Sequence, residues 1–307
     1  MSERAWADQA TAPRPVCSES RAPYPSGNAE VRLRWLGVAG LEVAIDGQVL
    51  IIDPYLTRLP VWKVLRGRGR PDHQLVAAVI AECDYVLVTH PHWDHLMDVA
   101  SVACRTGSYV YGSANACRLL TAQGVPAEQV REITAGVGLT LGSMSVDVIE
   151  AEHTALAGQS PLTGSLPSEL RCPPRITDYR MDSAFSFLID AGRFRILDWT
   201  SASVRGAVPA DVLCVQLFRS RDFFEGLLTM VQPRAVVPVH WDDFFRPLSR
   251  PIRPLLPVGI RCTLAGFHYT DLDRLRQIVA EVLPTACVVV PEVLLPYNLE
   301  RVLEGSV

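Results

Sequence analysis

The sequence lacks several features that would assign it to a broad class of proteins. Lys63 is the only lysine among 29 basic residues, and the net charge is −4. No stretch approaches 18 consecutive apolar residues, and residues 1–29 carry charges and prolines where a signal peptide needs an apolar run. These absences argue against a nucleic-acid partner, a membrane span and secretion, and they predict a cytoplasmic protein.

Cysteine chemistry is also not indicated. The eight cysteines are scattered, without a C-x-x-C pair or a compact framework. In a chain of 307 residues such cysteines are typical of reduced, mostly buried side chains. A disulfide scaffold or a cysteine-based metal site is therefore not predicted.

What the chain does contain is the pattern of a large α/β protein. Hydrophobic residues make up 49% of the sequence, enough for an extensive core. Asp46-Gly47 between two apolar runs is typical of a β-hairpin, and paired groups of strands interrupted by helices predict two packed sheets with helices outside. We predict a flexible tail over 1–29, a single domain over 30–307, and a lid loop over the Pro-, Gly- and Ser-rich segment 154–181.

Residues 88–95, VTHPHWDH, are the most informative segment. They place His90, His92, Asp94 and His95 within six positions, directly after the apolar run 85–88. A strand that ends in a polar turn can direct several side chains to one point, and imidazole and carboxylate groups suit zinc, iron or manganese. The alternative, a surface histidine cluster, is disfavoured because the chain has only seven histidines.

Three more metal-capable residues follow apolar runs that resemble buried strands. They are His153, Asp198 and His240. Ligands at the ends of neighbouring strands can converge on a rigid scaffold. Five of the seven histidines then belong to one predicted site.

The HPHWDH segment resembles the H-x-H-x-D-H signature of the metallo-β-lactamase superfamily. The segments WLGVAGLEVAIDGQVLIIDPYL and PVHWDDFFRPLSRP resemble the branch with ascorbate-phosphate lactonases and N-acylphosphatidylethanolamine phospholipase D-like enzymes. The resemblance covers roughly residues 31–270. It implies a four-layer αββα sandwich of two mixed β-sheets flanked by helices, with a dinuclear metal site at one edge.

The resemblance also implies how the ligands are divided between two divalent transition-metal ions. Zinc is the first expectation, with Mn²⁺ or Fe²⁺ as alternatives. The first ion would be held by His90, His92 and His153. The second would be held by Asp94, His95 and His240. Asp198 would bridge both ions. Asp53 would not bind an ion itself but would hold one of the ligands in its orientation.

The bridge position departs from the family pattern. A small residue usually precedes the bridging aspartate and Thr or Ser follows it, whereas Leu197 and Trp199 flank Asp198 here. Asp190 is the rival, but Asp-Ala-Gly between two strands is more simply explained as a turn.

Candidate substrate contacts come from two sets of side chains near the predicted ligands. Arg66 and Arg68, with Arg70, would recognise an anionic substrate, although a solvated surface loop is the alternative interpretation. The aromatic set would line an apolar pocket, with core packing as its alternative. Its members are Tyr55, Trp62, Trp199 and Trp241.

The predicted chemistry is hydrolysis. A metal-bound hydroxide would attack an ester, lactone or phosphoester of a small or lipid-like substrate, and Asp94 would accept or return a proton. The alternatives are a phosphodiesterase or nuclease-type member of the superfamily, an iron-dependent redox enzyme, and a non-catalytic binding protein. The expected partner is a small molecule that could be anionic, and the oligomeric state is not predicted.

Overall fold

In the computed structural model, residues 30–67, 69–154, 162–255 and 271–304 are described. The first sheet has seven strands in the order β14-β1-β2-β3-β4-β5-β6. Their bounds are β1 Arg32–Gly37, β2 Gly40–Ile45, β3 Gln48–Ile52, β4 Tyr85–Leu87, β5 Tyr109–Gly112, β6 Val130–Glu132 and β14 Pro296–Asn298.

The second sheet also has seven strands, in the order β13-β12-β11-β10-β9-β8-β7. Their bounds are β7 Gly138–Leu141, β8 Met144–Glu150, β9 Phe185–Ala191, β10 Phe194–Trp199, β11 Val212–Gln216, β12 Ala235–Val239 and β13 Cys287–Val288. Each sheet mixes parallel and antiparallel pairs, because β3, β4 and β5 run parallel in the first sheet and β10 to β13 run parallel in the second.

Helices cover the outer faces of the two sheets. Their bounds are α1 Val61–Leu65, α2 His73–Val79, α3 Trp93–Leu96, α4 Val99–Thr106, α5 Ala114–Ala122, α6 Arg221–Val231, α7 Leu272–Val282 and α8 Leu299–Leu303. One buried cluster joins the inner faces of the sheets to α6 and α7, and the other packs the first sheet against α2 to α5. The predicted αββα sandwich is confirmed. Among the described residues, every helix is too short or too polar to cross a membrane.

The hairpin predicted at Asp46-Gly47 is also confirmed. It joins β2 to β3, and both turn residues have positive φ (53° and 74°), as a tight two-residue turn with the right twist requires. Sequence patterns did not indicate β13, β14 and α8. The short helix α3 contains Asp94 and His95 of the HPHWDH segment and ends before α4 begins.

Strand direction brings the predicted ligands to one edge of the sandwich. Strands β8, β10 and β12 run the same way, since β8 and β10 are both antiparallel to β9 and β10 to β12 are parallel. Their carboxyl ends therefore deliver His153, Asp198 and His240 to a common edge. The backbone N–H of Phe185 donates to the Thr89 carbonyl (2.8 Å), which joins the segment after β4 to the second sheet.

Of the segment predicted as a lid, residue 154 and residues 162–181 are described. Residues 162–181 are anchored to α5, because the Asn115 side-chain amide donates to the carbonyls of Gly164 (3.0 Å) and Arg180 (2.9 Å). Ile176 and Tyr179 are buried in the cluster that includes α2 to α5. Residues 155–161 lie outside the described part, so the lid stays a prediction.

Candidate metal centre

The first predicted ligand group is assembled as three neighbouring imidazoles. His90 and His92 lie in the turn between β4 and α3, and His153 lies just after β8. Ring centroids are 4.5 Å apart for His90 and His92, 4.7 Å for His92 and His153, and 4.8 Å for His90 and His153. One ligand-capable atom from each residue lies within 4.8 Å of the others, which suits a single metal ion.

The second predicted group lies beside the first. One atom from each of Asp94, His95 and His240 again lies within 4.8 Å of the others. Asp94 Oδ2 is 3.4 Å from His240 Nε2 and 3.8 Å from His95 Nε2. The His90 and His95 ring centroids are 4.0 Å apart, so the two groups are adjacent.

Hydrogen bonds behind the rings fix which imidazole nitrogen faces the site. Asp53 accepts from His95 Nδ1 (2.6 Å), from the Thr89 backbone N–H (2.8 Å) and from the Thr89 hydroxyl. His90 Nδ1 donates to that hydroxyl (3.0 Å), and His153 Nδ1 donates to the Thr154 carbonyl (2.9 Å). Nε2 is therefore left for a metal in each of the three rings, as in carboxylate–histidine–metal arrangements.

Replacing Asp53 with asparagine should weaken metal binding without unfolding the protein. The substitution removes the charge that orients His95, and losses of such supporting groups lower metal affinity by about 10- to 100-fold. Competition with a chromogenic chelator measures the change. Asp46→Asn, in the exposed β2–β3 turn, is the matched control and should bind metal like the wild type; equal affinities in all three proteins would contradict the role of Asp53.

Unpaired buried atoms show that the site fits a cation. Among the described residues, Asp198 Oδ2 and His90 Nε2 are buried without a hydrogen-bond partner. Burial, with a smaller contribution from the Asp53 charge, raises the pKa of Asp198 well above its usual value. A buried carboxylate of this kind is costly unless a positive charge lies against it, and a divalent ion supplies that charge.

The protonation state of two histidines of the first group, His90 and His153, also suits metal binding. Burial, together with the neighbouring imidazoles, lowers the pKa of His90 and lowers that of His153 to about 4. Both rings are therefore neutral at neutral pH and can act as ligands. For Asp94, burial would raise the pKa, but His95 and the other histidines lower it well below the usual range, so this carboxyl is ionised.

The backbone around His240 is held in an unusual conformation. His240 and Val38 both have positive φ (53° and 51°), which is costly for side chains of these types. The His240 N–H donates to the Val38 carbonyl (2.7 Å), and the Val38 N–H donates to Asp242 Oδ1 (3.1 Å). Asp242 is in turn paired with Arg58 (2.5 Å), and both side chains are fully enclosed. This network fixes the direction of His240.

Two of the aromatic residues predicted to contact substrate are packed in the interior. Tyr55 is fully buried, accepts a hydrogen bond from the Leu59 N–H (2.6 Å), and packs edge-on against Trp93. Trp199 is buried in the main core and donates through Nε1 to the Ser203 carbonyl (3.2 Å).

A third predicted aromatic residue, Trp241, is also buried in the main core, whereas the remaining described contacts are exposed. Trp241 stacks on Trp35 with 5.6 Å between ring centroids, directly after His240. Trp62 on α1 is 50% exposed, and the Arg66 guanidinium lies over its ring at 5.1 Å. Arg66 and Arg70 are exposed, while Arg68 lies outside the described residues.

The rival aspartate is remote from the ligands. Asp190 lies in β9 opposite Arg195, whereas Asp198 lies opposite Phe187 at the other end of the same hairpin. Of these two aspartates, Asp198 is the one whose pKa is affected by the charges of Asp53 and His95.

Other residues at the site were not found from the sequence. The rings of Phe218 and Phe244 flank the His240 imidazole at 5.9 and 5.7 Å between centroids. Phe244 lies in the segment HWDDFF, whose aromatic pair was a usable signal. Phe218 follows β11 and had no such signal, because its proximity to His240 arises from the pairing of β11 with β12.

Comparison with known proteins identifies the family. The model of the beta-lactamase superfamily domain matches residues 49–207, which is more than half of the chain and includes the HPHWDH segment. The chain therefore belongs to the metallo-β-lactamase superfamily and has a metal-dependent hydrolase fold.

Individual relatives agree with this membership. A metal-dependent hydrolase of Polynucleobacter asymbioticus is 28% identical over 233 residues, covering 72% of this chain and 78% of the relative. Igni18, a metallo hydrolase from Ignicoccus hospitalis, has a similar fold, with a TM-score of 0.58, 16% identity, and coverage of 87% of this chain and 97% of Igni18. CmlA, a diiron β-hydroxylase from Streptomyces venezuelae, also has a similar fold (TM-score 0.52, 14% identity, 91% of this chain, 55% of CmlA). The fold alone therefore does not decide the reaction.

Proposed function

We propose that the protein is a dinuclear metal-dependent hydrolase that cleaves an ester, lactone or phosphoester bond of a small or lipid-like substrate. The observation that carries the proposal is the pair of adjacent three-ligand groups at one edge of the sandwich. Zn²⁺ is the proposed ion at both groups, because groups of three imidazole and carboxylate ligands are typical of catalytic zinc sites.

Two bound divalent ions would supply activated water and polarise the oxygen of the scissile bond. The chain contributes the rigidity of the site. Asp53 and Thr89 hold His95 and His90 in one orientation, and the Val38 contact holds His240. A site preorganised in this way avoids reorientation of its side chains during the reaction.

Asp94 is proposed to hold and transfer a proton as well as to act as a ligand. Its carboxyl is ionised at neutral pH because the surrounding histidines lower its pKa, and its side chain keeps some exposure (14%). An ionised, accessible carboxylate beside the reaction centre can accept a proton from water and return it to the leaving group.

Asp198 is proposed to bridge the two ions. It lies at the end of β10, and its unpaired buried oxygen and raised pKa indicate a carboxylate that needs a cation. A cation at this position would satisfy the unpaired oxygen Oδ2.

Removal of metal should abolish turnover, and its restoration should recover it. Purified protein is expected to contain about two transition-metal ions per chain, measured by elemental analysis. Dialysis against a chelator, followed by addition of Zn²⁺, Mn²⁺ or Fe²⁺, then tests which ion restores activity. The substrate panel contains lactones, acyl esters, phosphodiesters, amides and an RNA oligonucleotide. Unchanged turnover by metal-free protein would contradict the proposal, and preference for RNA would favour a nuclease.

A further inference from the structure

Arg219 is a buried arginine beside the ligand groups, and no described residue gives it a negative partner. Arg219 follows β11 and is only 7% exposed. Its Nη1 donates to Thr154 Oγ1 (2.7 Å) and to the Phe218 carbonyl (2.9 Å), and its Nη2 donates to the Thr200 carbonyl (3.3 Å). All three acceptors are neutral oxygens. In the described part of the chain, the guanidinium charge is therefore hydrogen-bonded but not compensated by a carboxylate.

The other described residues do not supply the missing counter-charge. Within the described residues, each carboxylate in an ion pair has a partner other than Arg219. The internal positions outside the described residues, 68, 155–161 and 256–270, contain neither Asp nor Glu. Burial lowers the pKa of Arg219 to about 10, so it remains charged at neutral pH.

The contacts of Arg219 place it next to the proposed reaction centre. Thr154 directly follows His153 and accepts the ring N–H of that histidine through its carbonyl. Thr200 lies two residues after Asp198. Phe218, which precedes Arg219, packs edge-on against His240 (5.9 Å between centroids). The guanidinium is therefore bonded to neighbours of ligands from both groups.

We propose that Arg219 binds an anionic group of the substrate, either a carboxylate or a phosphate. The scissile bond of the same substrate would lie at the two metal-ligand groups. This inference rests on the proposed hydrolase function. An arginine has five N–H donors, of which three are used in these contacts, so two remain for an anion. A charge-assisted pair in a buried site is much stronger than one in water. An anion would therefore bind more strongly to Arg219 than to Arg66, which lies exposed over the Trp62 ring.

The test compares two esters that differ in one charge. Mono(4-nitrophenyl) succinate carries a terminal carboxylate, and 4-nitrophenyl pentanoate has a similar length without it. Metal-loaded Arg219→Gln should raise KM for the succinate ester at least about tenfold and leave the pentanoate within about twofold, as expected for loss of one charge-assisted contact. Arg219→Lys keeps the positive charge but loses the paired N–H donors of the guanidinium, so it should give an intermediate KM for the succinate ester.

A binding measurement tests the same residue independently of turnover. Calorimetric titration with inorganic phosphate should show at least about tenfold weaker binding to metal-loaded Arg219→Gln than to the wild type. Loss for phosphate alone would identify a phosphate group as the natural anion, and loss for the succinate ester alone would identify a carboxylate. The metal content per chain should stay unchanged in this variant.

Arg221→Gln is the matched control, because Arg221 is a partly exposed arginine two positions away that pairs with Glu225 and Glu281. It should retain wild-type values in every assay. Equal losses for both esters, or loss of metal, in Arg219→Gln would show that Arg219 only positions the loops, and the inference would be overturned. Wild-type phosphate and succinate-ester affinities would also overturn it. If the wild type hydrolyses neither ester, the proposed ester chemistry fails, while the phosphate titration still decides the role of Arg219.

Discussion

Replacing His153 with alanine is expected to abolish turnover while the protein remains folded. The substitution leaves His90 and His92 as the remaining members of the first ligand group. Bound metal should fall towards about one ion per chain, and turnover at least about a thousandfold, because the charge stabilisation supplied by a metal is worth several kcal/mol and each 1.36 kcal/mol is tenfold in rate. Elemental analysis and circular dichroism separate loss of metal from loss of fold.

His240→Ala makes the complementary change in the second group. It should cause a comparable loss of turnover, with the first group still able to bind one ion. His73→Ala is the control, because His73 is an exposed histidine at the start of α2 that contacts Ser101 (2.8 Å). A His153→Ala protein with two ions per chain and the wild-type rate would refute the ligand assignment.

Loss of the Arg58–Asp242 ion pair is expected to be the most destabilising substitution in this region. Arg58→Met would leave the Asp242 carboxylate enclosed without its counter-charge, at a cost of about 3–5 kcal/mol in the free energy of unfolding. The structure accommodates the guanidinium tightly, since a Cβ at Gly37 would lie 2.0 Å from Arg58 Nη2. Urea denaturation of the wild type and of Arg58→Met measures the difference in the free energy of unfolding.

Arg276→Met provides the comparison for that experiment. Arg276 pairs with Asp273 on the surface of α7 (2.7 Å), and exposed pairs contribute at most about 1 kcal/mol. Because Asp242 also holds Val38, and Val38 holds His240, Arg58→Met should in addition weaken metal binding at the second group. Equal destabilisation by the two substitutions would argue against a structural role for the buried pair.

The sequence predicted the parts of the site that depend on local pattern. His90 to His95 form a compact motif after a strand, and His153, Asp198 and His240 each follow or end an apolar run. Strand ends are locally encoded, because the alternation of apolar residues stops where the backbone turns. The same reasoning predicted the two-sheet architecture with outer helices.

Contacts between distant segments were not predictable in this way. Arg58 and Asp242 are 184 positions apart, and Arg219 lies 65 positions from Thr154. Their side chains carry no local signature, since an arginine after a strand is more often an exposed residue. The same reason explains why Tyr55 and Trp199 were predicted at a pocket but are packed in the interior.

The sequence by itself determined the chemistry available to this protein, because the affinity of imidazole and carboxylate for divalent metals belongs to the side chains and not to the fold. Only the tertiary structure decided how those groups are used. Strand direction places three strand ends at one edge, and the hydrogen bonds of Asp53, Thr89 and Val38 orient the rings. The uncompensated charge of Arg219 is likewise a property of its surroundings, since burial and the absence of a carboxylate partner among the described residues exist only after folding.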